Sequence, residues 1–420
     1  MSDGHQSEAI LYSLTVFAIA LGWRLCWILH GPWVHGDSAQ YLSLAQSIAL
    51  HGAFSFDGIT LTAYRPPLYP ALIALVWHGF RPPLMTIYAL QAVLGACTAV
   101  FAYWIALPRF GRTPAVVAAL LVALGPMSGR YVATVLTETL FTFLLVAGVL
   151  LWGRGRWIAA GAAFGLATLA RAVLLPFVLL MVVAAVWPRW RRWRLVRDGS
   201  RAAIVALIVI SPWLVRNTLL VDRPTVAQAG WTDNLIFGTV RLHVGENPWI
   251  ELTSSATTGG DDNLPRPTSA PGVVRYVVHH PIDWLVARLS QYPRLFIDTG
   301  EYMLTGPHEP SASASGARRL ESILLTVAFV AGNLAFLGLA VWGSLRARPL
   351  ADTLHIWSFP AFLVLAQLPM YAEARYTLPL VPLLAVFAGA AIVSLWTGTG
   401  TETGAAAGLR IEAGEARGRR

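Results

Sequence analysis

The chain has 420 residues, of which 56% are hydrophobic and 13% charged, and its mean hydropathy is +0.57. These values exclude an ordinary soluble protein and are typical of a polytopic membrane protein. All 31 basic residues are arginine, and the formal net charge is +9. Many of these arginines lie between apolar runs, where they set orientation in the membrane, so we expect no nucleic-acid partner.

Hydropathy predicts ten membrane-spanning helices, since about 20 predominantly apolar residues cross a bilayer. The predicted spans are residues 9–30, 84–107, 113–129, 134–152, 157–170, 172–187, 201–216, 320–345, 353–371 and 376–397. The fifth and sixth spans are short, and the alternative is one merged span.

The distribution of arginine predicts which side each loop faces. With the N-terminus inside, the cytoplasmic loops contain twelve arginines and the shorter outer loops contain five. Because arginine is enriched in short cytoplasmic loops, we expect a multi-pass plasma-membrane protein with both termini in the cytoplasm. Merging spans five and six would break this agreement. We expect one transmembrane domain over residues 1–397 and a disordered tail over 398–420.

Two large segments, residues 31–83 and 217–319, are predicted to face outward. The first contains apolar residues at helical spacing from Tyr41 to Ala49, which predicts a helix at the membrane interface, and a second short run follows Pro67. In the second segment, residues 253–272 are rich in turn formers and are expected to be mobile. Residues 273–296 mix aromatic, aliphatic and arginine side chains, which favours another interfacial helix.

Charged residues at the ends of the predicted spans collect on the outer side. They are Asp37, Glu138, Arg171, Arg216, Glu373 and Arg375. A charge within the bilayer costs about 2.5 to 3.5 kcal/mol at a helix centre, so this grouping predicts one functional site. Arginine binds phosphate with a planar fork, and a carboxylate opposite such a cluster suits a general base. Together these groups indicate group transfer from a lipid phosphate.

Six segments resemble one family. They are GDSAQY (36–41), AYRPPLYP (63–70), TETLF (137–141), the turn at Arg171, SPWLVRN (211–217) and EARYTLPLVP (373–382). In this order they are similar to the GT-C superfamily of integral membrane glycosyltransferases. The most similar branch comprises bacterial proteins like dolichyl-phosphate-mannose protein mannosyltransferases and the lipid A aminoarabinose transferase. The resemblance implies an all-α polytopic fold, with a large first outer loop and a long outer loop between spans seven and eight.

The resemblance also implies residue roles. Asp37 corresponds to the catalytic base, and the basic-Pro-Pro segment of the family corresponds to Arg65, Pro66 and Pro67. The family often has a second acid directly after the first, whereas this chain has Ser38.

We expect the donor phosphate to contact four arginines, and three further residues to support the site. The phosphate ligands are Arg65, Arg171, Arg375 and Arg216, and the supporting residues are Tyr41, Glu138 and Tyr376. Anchoring of the arginines at lipid headgroups, and simple packing of Tyr41, are the alternatives. We assign no metal ligands, because Cys26 and Cys97 lie far apart without metal-site spacing; participation of a divalent metal stays open.

The expected activity is transfer of a hexosyl or pentosyl group from a polyprenyl-phosphate donor at the outer side of the membrane, with inversion implied by the resemblance. The acceptor is a glycolipid, a glycan or a protein, and membrane lipids surround the chain. A ligase that uses a diphosphate-linked donor is a related alternative. A lipid-linked-sugar flippase or transporter, and a non-catalytic lipid-binding protein, are alternatives from other classes.

Overall fold

The computed structural model describes residues 3–32, 36–79, 83–186, 193–228, 231–239, 270–296, 316–347 and 349–398. In these ranges the chain is mainly helical, with one isolated antiparallel bridge between Ser55 and Leu61. The predicted tail from residue 399 onward and the turn-rich residues 253–269 lie outside the described ranges.

The α-helices of the described residues are numbered here in chain order. They are α1 (Asp3–His30), α2 (Gly36–His51), α3 (Leu68–Gly79), α4 (Pro83–Phe110), α5 (Arg112–Ala123), α6 (Pro126–Arg130), α7 (Glu138–Gly153), α8 (Trp157–Ala170), α9 (Leu175–Val186), α10 (Arg194–Val221), α11 (Trp231–Thr239), α12 (Ala270–His279), α13 (Pro281–Gln291), α14 (Gly316–Arg346), α15 (Leu350–Ala366) and α16 (Val381–Thr397). Short 3₁₀ turns cover Tyr131–Ala133, Ala172–Leu174, Tyr292–Leu295 and Ala374–Leu380.

Helices occur at all ten predicted spans. Within the described residues, five stretches are long and apolar enough to cross a membrane: Gln6–His30, Leu84–Phe110, Arg194–Val221, Ile323–Arg346 and Ala374–Thr397. A sixth is a pair bent by 50°, Arg112–Ala123 with Pro126–Ala133. The remaining four predicted spans coincide with apolar helices of 10–17 residues. The predicted all-α membrane fold is confirmed, while the number of crossings stays a prediction.

Two predicted spans have the wrong extent. The span predicted over 113–129 is broken after α5, because Leu124 and Gly125 leave the helical conformation and α6 starts at Pro126. The span predicted over 353–371 ends with α15 at Ala366, and residues 367–370 form turns. Pro369 cannot donate a backbone hydrogen bond and disfavours the helical conformation at the residue before it, which favours the end of the helix here.

The predicted separation of the fifth and sixth spans is observed. Helix α8 ends at Ala170, and Arg171 has an extended backbone with φ −144° and ψ 117° before the turn Ala172–Leu174. Because this residue leaves the helix, its side chain can reach Glu138, with which it forms an ion pair. The break at Arg171 separates α8 from α9, while the number of membrane crossings that these two helices make stays a prediction.

The bundle core contains close helix contacts and buried polar groups. A Cβ on Gly161 of α8 would lie 2.3 Å from the carbonyl oxygen of Ala202 in α10, so glycine permits the close approach of these helices. At the break between α5 and α6, the buried Arg24 of α1 donates to the carbonyl oxygens of Val122 (3.4 Å) and Ala123 (3.0 Å). The Ser128 hydroxyl also donates to the Val122 carbonyl oxygen, at 3.2 Å, so side chains satisfy both carbonyls at this helix end.

Candidate active site

Asp37 joins the first outer segment to the start of the last span. It lies in the first turn of α2, where the helix dipole favours a negative charge. Its Oδ1 accepts a hydrogen bond from Arg65 Nη2 at 2.6 Å, and its Oδ2 accepts one from Arg375 Nη1 at 3.2 Å. The Asp37 side chain is 26% exposed, so it remains accessible beside both guanidinium groups.

The Arg65 side chain is held by Gln40 and Tyr41 in addition to Asp37. Its Nε donates to Gln40 Oε1 at 2.9 Å, and its guanidinium lies 5.3 Å from the centre of the Tyr41 ring. Tyr41 is buried and packs edge-on against Tyr69. Burial alone would lower the pKa of Arg65, but Tyr41 and Asp37 raise it above its ordinary value. The Tyr41 ring therefore packs against Arg65, which in turn contacts Asp37, and the supporting role of Tyr41 stays a prediction.

Glu138 and Arg171 form a second ion pair, with 2.6 Å between Glu138 Oε1 and Arg171 Nη1. The Glu138 side chain is only 2% exposed at the first turn of α7, and that of Arg171 is 20% exposed. The segment before α7 is held by Gln91 of α4, whose Nε2 donates to the carbonyl oxygens of Val132 and Thr134, each at 2.9 Å. Burial alone would lower the pKa of Arg171, but Glu138 raises it above its ordinary value.

Arg375 connects two acids. Besides Asp37, it contacts Glu373, with 2.9 Å between Arg375 Nε and Glu373 Oε2. Burial raises the pKa of the Glu373 carboxyl above its ordinary value, against the lowering effect of Arg375. Tyr376 lies between two arginines, with its ring centre 5.2 Å from the Arg375 guanidinium and 5.7 Å from that of Arg171.

Most of the charged groups described above line one cavity of about 320 Å³, whereas Glu373 does not line it. Seven of the eight predicted site residues line it: Asp37, Tyr41, Arg65, Glu138, Arg171, Arg375 and Tyr376. Part of the wall is apolar and comes from Ala170, Ala172, Val173, Pro176, Phe362, Leu365, Ala366, Pro369 and Met370. The cavity therefore combines paired charges with an apolar surface.

Arg216, the eighth predicted residue, does not line the cavity. Its Nη1 donates to the carbonyl oxygen of Thr62 and to Asn217 Oδ1, each at 2.7 Å, and its guanidinium lies 4.5 Å from the Trp213 ring centre. Arg216 thus links α10 to the first outer segment, because it donates a hydrogen bond to the backbone carbonyl of Thr62. We leave Arg216 out of the proposed phosphate ligands.

Four polar residues of the site were not predicted from the sequence. Gln40 contacts Arg65, whereas Thr137, which lies in the TETLF segment, Asn234 and Gln367 line the cavity. Gln40 has a weak sequence signal, since it lies within the GDSAQY segment. Asn234 lies in a long loop without a recognised motif, and Gln367 was included in an apolar span, so neither has a local signal. Within the described ranges, no group of three or more His, Cys, Asp and Glu side chains could hold a metal ion.

Comparison with known proteins gives one family match and several similar folds. Residues 64–215, less than half of the chain, match the family described as dolichyl-phosphate-mannose-protein mannosyltransferase. The oligosaccharyltransferase of Archaeoglobus fulgidus, tethered to an acceptor peptide containing the NVT sequon, has 12% identity and a TM-score of 0.52. The match covers 92% of this chain and 50% of that one. A search of curated proteins by sequence finds no match.

Two further structures are similar. AglB from Archaeoglobus fulgidus, in complex with an inhibitory peptide and a dolichol-phosphate, has 14% identity and a TM-score of 0.50 over 92% of this chain and 50% of that chain. The chain has the GT-C fold. ArnT from Cupriavidus metallidurans, bound to undecaprenyl phosphate, has 15% identity and a TM-score of 0.48 over 94% of this chain and 61% of that one. The chain thus spans 50% to 61% of the length of these structures.

Proposed function

We propose that this GT-C chain is a glycosyltransferase that moves a hexosyl or pentosyl group from a polyprenyl-phosphate donor to an acceptor at the outer side of the plasma membrane. The observation that supports this most strongly is the cavity where Asp37 contacts both Arg65 and Arg375. These residues come from segments far apart in sequence and meet beside an apolar wall. A lipid phosphate needs both kinds of surface.

The donor phosphate would bind among Arg65, Arg171 and Arg375. Each guanidinium has five N–H donors, so one arginine can hold a carboxylate and a phosphate oxygen together. The first isoprene units would lie against the apolar wall, near Phe362 and Leu365. During transfer, the arginines would stabilise the negative charge that develops on the leaving phosphate.

Asp37 would act as the general base. It would take the proton from the acceptor hydroxyl or amine while that oxygen or nitrogen attacks the anomeric carbon of the sugar. The new glycosidic bond forms as the bond between the anomeric carbon and the phosphate oxygen breaks, which leaves polyprenyl phosphate and inverts the anomeric centre. Arg65 and Arg375 would orient the carboxylate, since they contact its two oxygens separately.

We further propose that both termini face the cytoplasm and that residues 31–83 and 217–319 face outward. The acceptor is then a glycolipid, glycan or protein that reaches the outer surface. The greater number of arginines in the predicted cytoplasmic loops supports this orientation.

The phosphate assignment is tested by replacing Arg375 with methionine. We expect Arg375→Met to weaken binding of undecaprenyl phosphate about 10- to 100-fold, since a buried charged hydrogen bond contributes roughly 1.5 to 3 kcal/mol. Binding is measured in detergent micelles and transfer from undecaprenyl-phosphate sugars in proteoliposomes. The matched control is Arg223→Met, because Arg223 is an exposed arginine that does not line the cavity. Equal effects of the two variants, or no binding and no transfer by the wild type, would contradict the proposal.

A further inference from the structure

Gln367 lines the cavity, and its side-chain amide oxygen is buried without a hydrogen-bond partner among the described residues. It follows the last residue of α15, and its backbone N–H still donates to the Leu363 carbonyl oxygen at 3.0 Å. The residue is 8% exposed and lines the cavity. No hydrogen-bond donor from the described residues reaches its buried Oε1. A buried amide oxygen normally has a partner, so this atom indicates a ligand.

Glu138 provides a second acceptor of the same kind in the same cavity. Its Oε1 contacts Arg171, whereas its Oε2 is buried and receives no hydrogen bond from the part of the chain that the structure describes. Asn234 differs, because its Oδ1 is already within 3.5 Å of the Tyr376 hydroxyl. Two buried acceptors thus remain to be satisfied by a bound molecule.

Of the three parts of the proposed donor, namely the phosphate, the prenyl chain and the sugar, only the sugar can donate hydrogen bonds to these two acceptors. An ionised phosphate diester has only acceptor oxygens, and a prenyl chain has no hydrogen-bonding groups, so neither can satisfy Gln367 Oε1 or Glu138 Oε2. Sugar hydroxyl groups can donate to both atoms. The Gln367 amide can also rotate about its last bond and offer its NH₂ group to a hydroxyl oxygen.

We propose that Gln367, together with Glu138, selects the donor sugar by hydrogen bonding to its hydroxyl groups. This inference rests on the proposed function, because it places the sugar between the arginines and α15. Gln367 is then a specificity-determining residue that contributes to recognition of the sugar and not of the phosphate. A polar group that is paired by the correct hydroxyl is left unpaired by an analogue that lacks it, which gives strong discrimination.

The test compares Gln367→Met, which keeps the approximate size but removes the amide, with the wild type. Binding is measured for undecaprenyl phosphate alone and for a panel of undecaprenyl-phosphate hexoses and pentoses. We expect Gln367→Met to lose about 10- to 100-fold in affinity for the sugar-bearing donor that the wild type transfers best, in line with loss of a buried hydrogen bond. Affinity for undecaprenyl phosphate should change less than about twofold, because the arginines are untouched.

A deoxy series identifies the hydroxyl involved. For one hydroxyl of the sugar, the wild type should bind the donor that lacks this hydroxyl more weakly than the complete donor. Gln367→Met should bind the two donors equally well, because the side chain that pairs with this hydroxyl has been removed. The matched control is Gln46→Met, which removes an exposed amide of α2 and should behave as the wild type with every ligand.

Two results would overturn the inference while the proposed function stands. In one, Gln367→Met binds and transfers every donor as the wild type does. In the other, it weakens binding of undecaprenyl phosphate as much as binding of the sugar-bearing donors. If the wild type binds neither ligand class and transfers no sugar, the proposed function fails and this inference fails with it. Gln367→Glu, which keeps an acceptor of the same length, should retain more discrimination than Gln367→Met.

Discussion

At the scale of single residues, each of the three cavity arginines contacts an acid. Arg171 contacts Glu138, Arg65 contacts Asp37, and Arg375 contacts both Asp37 and Glu373. Charge pairing lowers the cost of holding these groups in a largely apolar bundle. Without a bound sugar donor, the three arginines and the three acids therefore give this region a net charge close to zero. A bound phosphate would make the net charge negative.

Breaking the buried Glu138–Arg171 pair should destabilise the fold more than removing both charges. We expect Arg171→Met to cost about 3 kcal/mol, because it leaves the buried Glu138 carboxylate uncompensated. The double variant Glu138→Gln/Arg171→Met should recover at least half of that loss. Thermal unfolding in detergent measures both.

The control for this prediction is Arg112→Met on the exposed pair Arg112–Glu8, whose side chains are 37% and 52% exposed. Exposed pairs contribute little, so the change should stay within about 1 kcal/mol. If Arg171→Met and the double variant unfold at the same temperature, the burial argument for this pair is wrong.

Part of the site could be predicted residue by residue. Asp37, Arg171 and Arg375 lie near predicted outer ends of spans, and charges at one depth of a bundle tend to meet there. Arg65 lies within the first outer loop and was predicted from the family resemblance. Their pairing could not be predicted, since Asp37 and Arg375 are separated by 338 positions. Arg216 shows the limit of this reasoning, because depth in the membrane does not reveal which neighbour a side chain faces.

At the scale of elements, the second outer segment holds the turn that carries part of the site. The buried Arg288 of α13 donates to the Met370 carbonyl oxygen at 2.5 Å, and the Tyr371 N–H donates to the Asn234 carbonyl oxygen at 2.8 Å. The Thr377 hydroxyl donates to the Leu295 carbonyl oxygen at 2.8 Å. The outer segment thus positions Gln367, Glu373 and Arg375, and in its described residues no charged side chain lines the cavity.

Replacing Arg288 should loosen this turn. We expect Arg288→Met to speed amide hydrogen exchange of residues 367–373 about 10- to 100-fold, because a buried charged hydrogen bond of roughly 1.5 to 3 kcal/mol is lost locally. Mass spectrometry of the exchanged protein measures this. Arg275→Met is the control, since Arg275 lies on the exposed side of α12. Uniform faster exchange across the bundle would instead indicate global destabilisation.

Hydropathy predicted where elements lie better than where they end. Apolar runs located the span helices, and helical spacing located α2. The break between α5 and α6 lies within an apolar run, and it is stabilised by Arg24 from another helix. Such tertiary hydrogen bonds cannot be seen in a local pattern, which is why a continuous span was predicted there.

At the scale of the whole molecule, the GT-C fold brings segments from the whole length of the chain to one cavity. The first outer segment supplies Asp37 and Arg65, α7 supplies Glu138, and the start of the last span supplies Arg375. The resemblance of six ordered segments predicted this fold, and the similar structures confirm it. The roles of the cavity residues stay predictions, because they depend on chemistry that the fold alone does not show.

In the proposed reaction, Asp37 acts as the base in transfer from a polyprenyl-phosphate sugar. The most direct measurement is the transfer of labelled sugar in proteoliposomes by the wild type and by Asp37→Asn, at matched protein levels and saturating donor. We expect Asp37→Asn to bind undecaprenyl phosphate but to transfer about 10²- to 10⁴-fold more slowly, as for loss of a general base. Equal transfer by the two proteins, or donor movement across the bilayer without transfer, would contradict the claim.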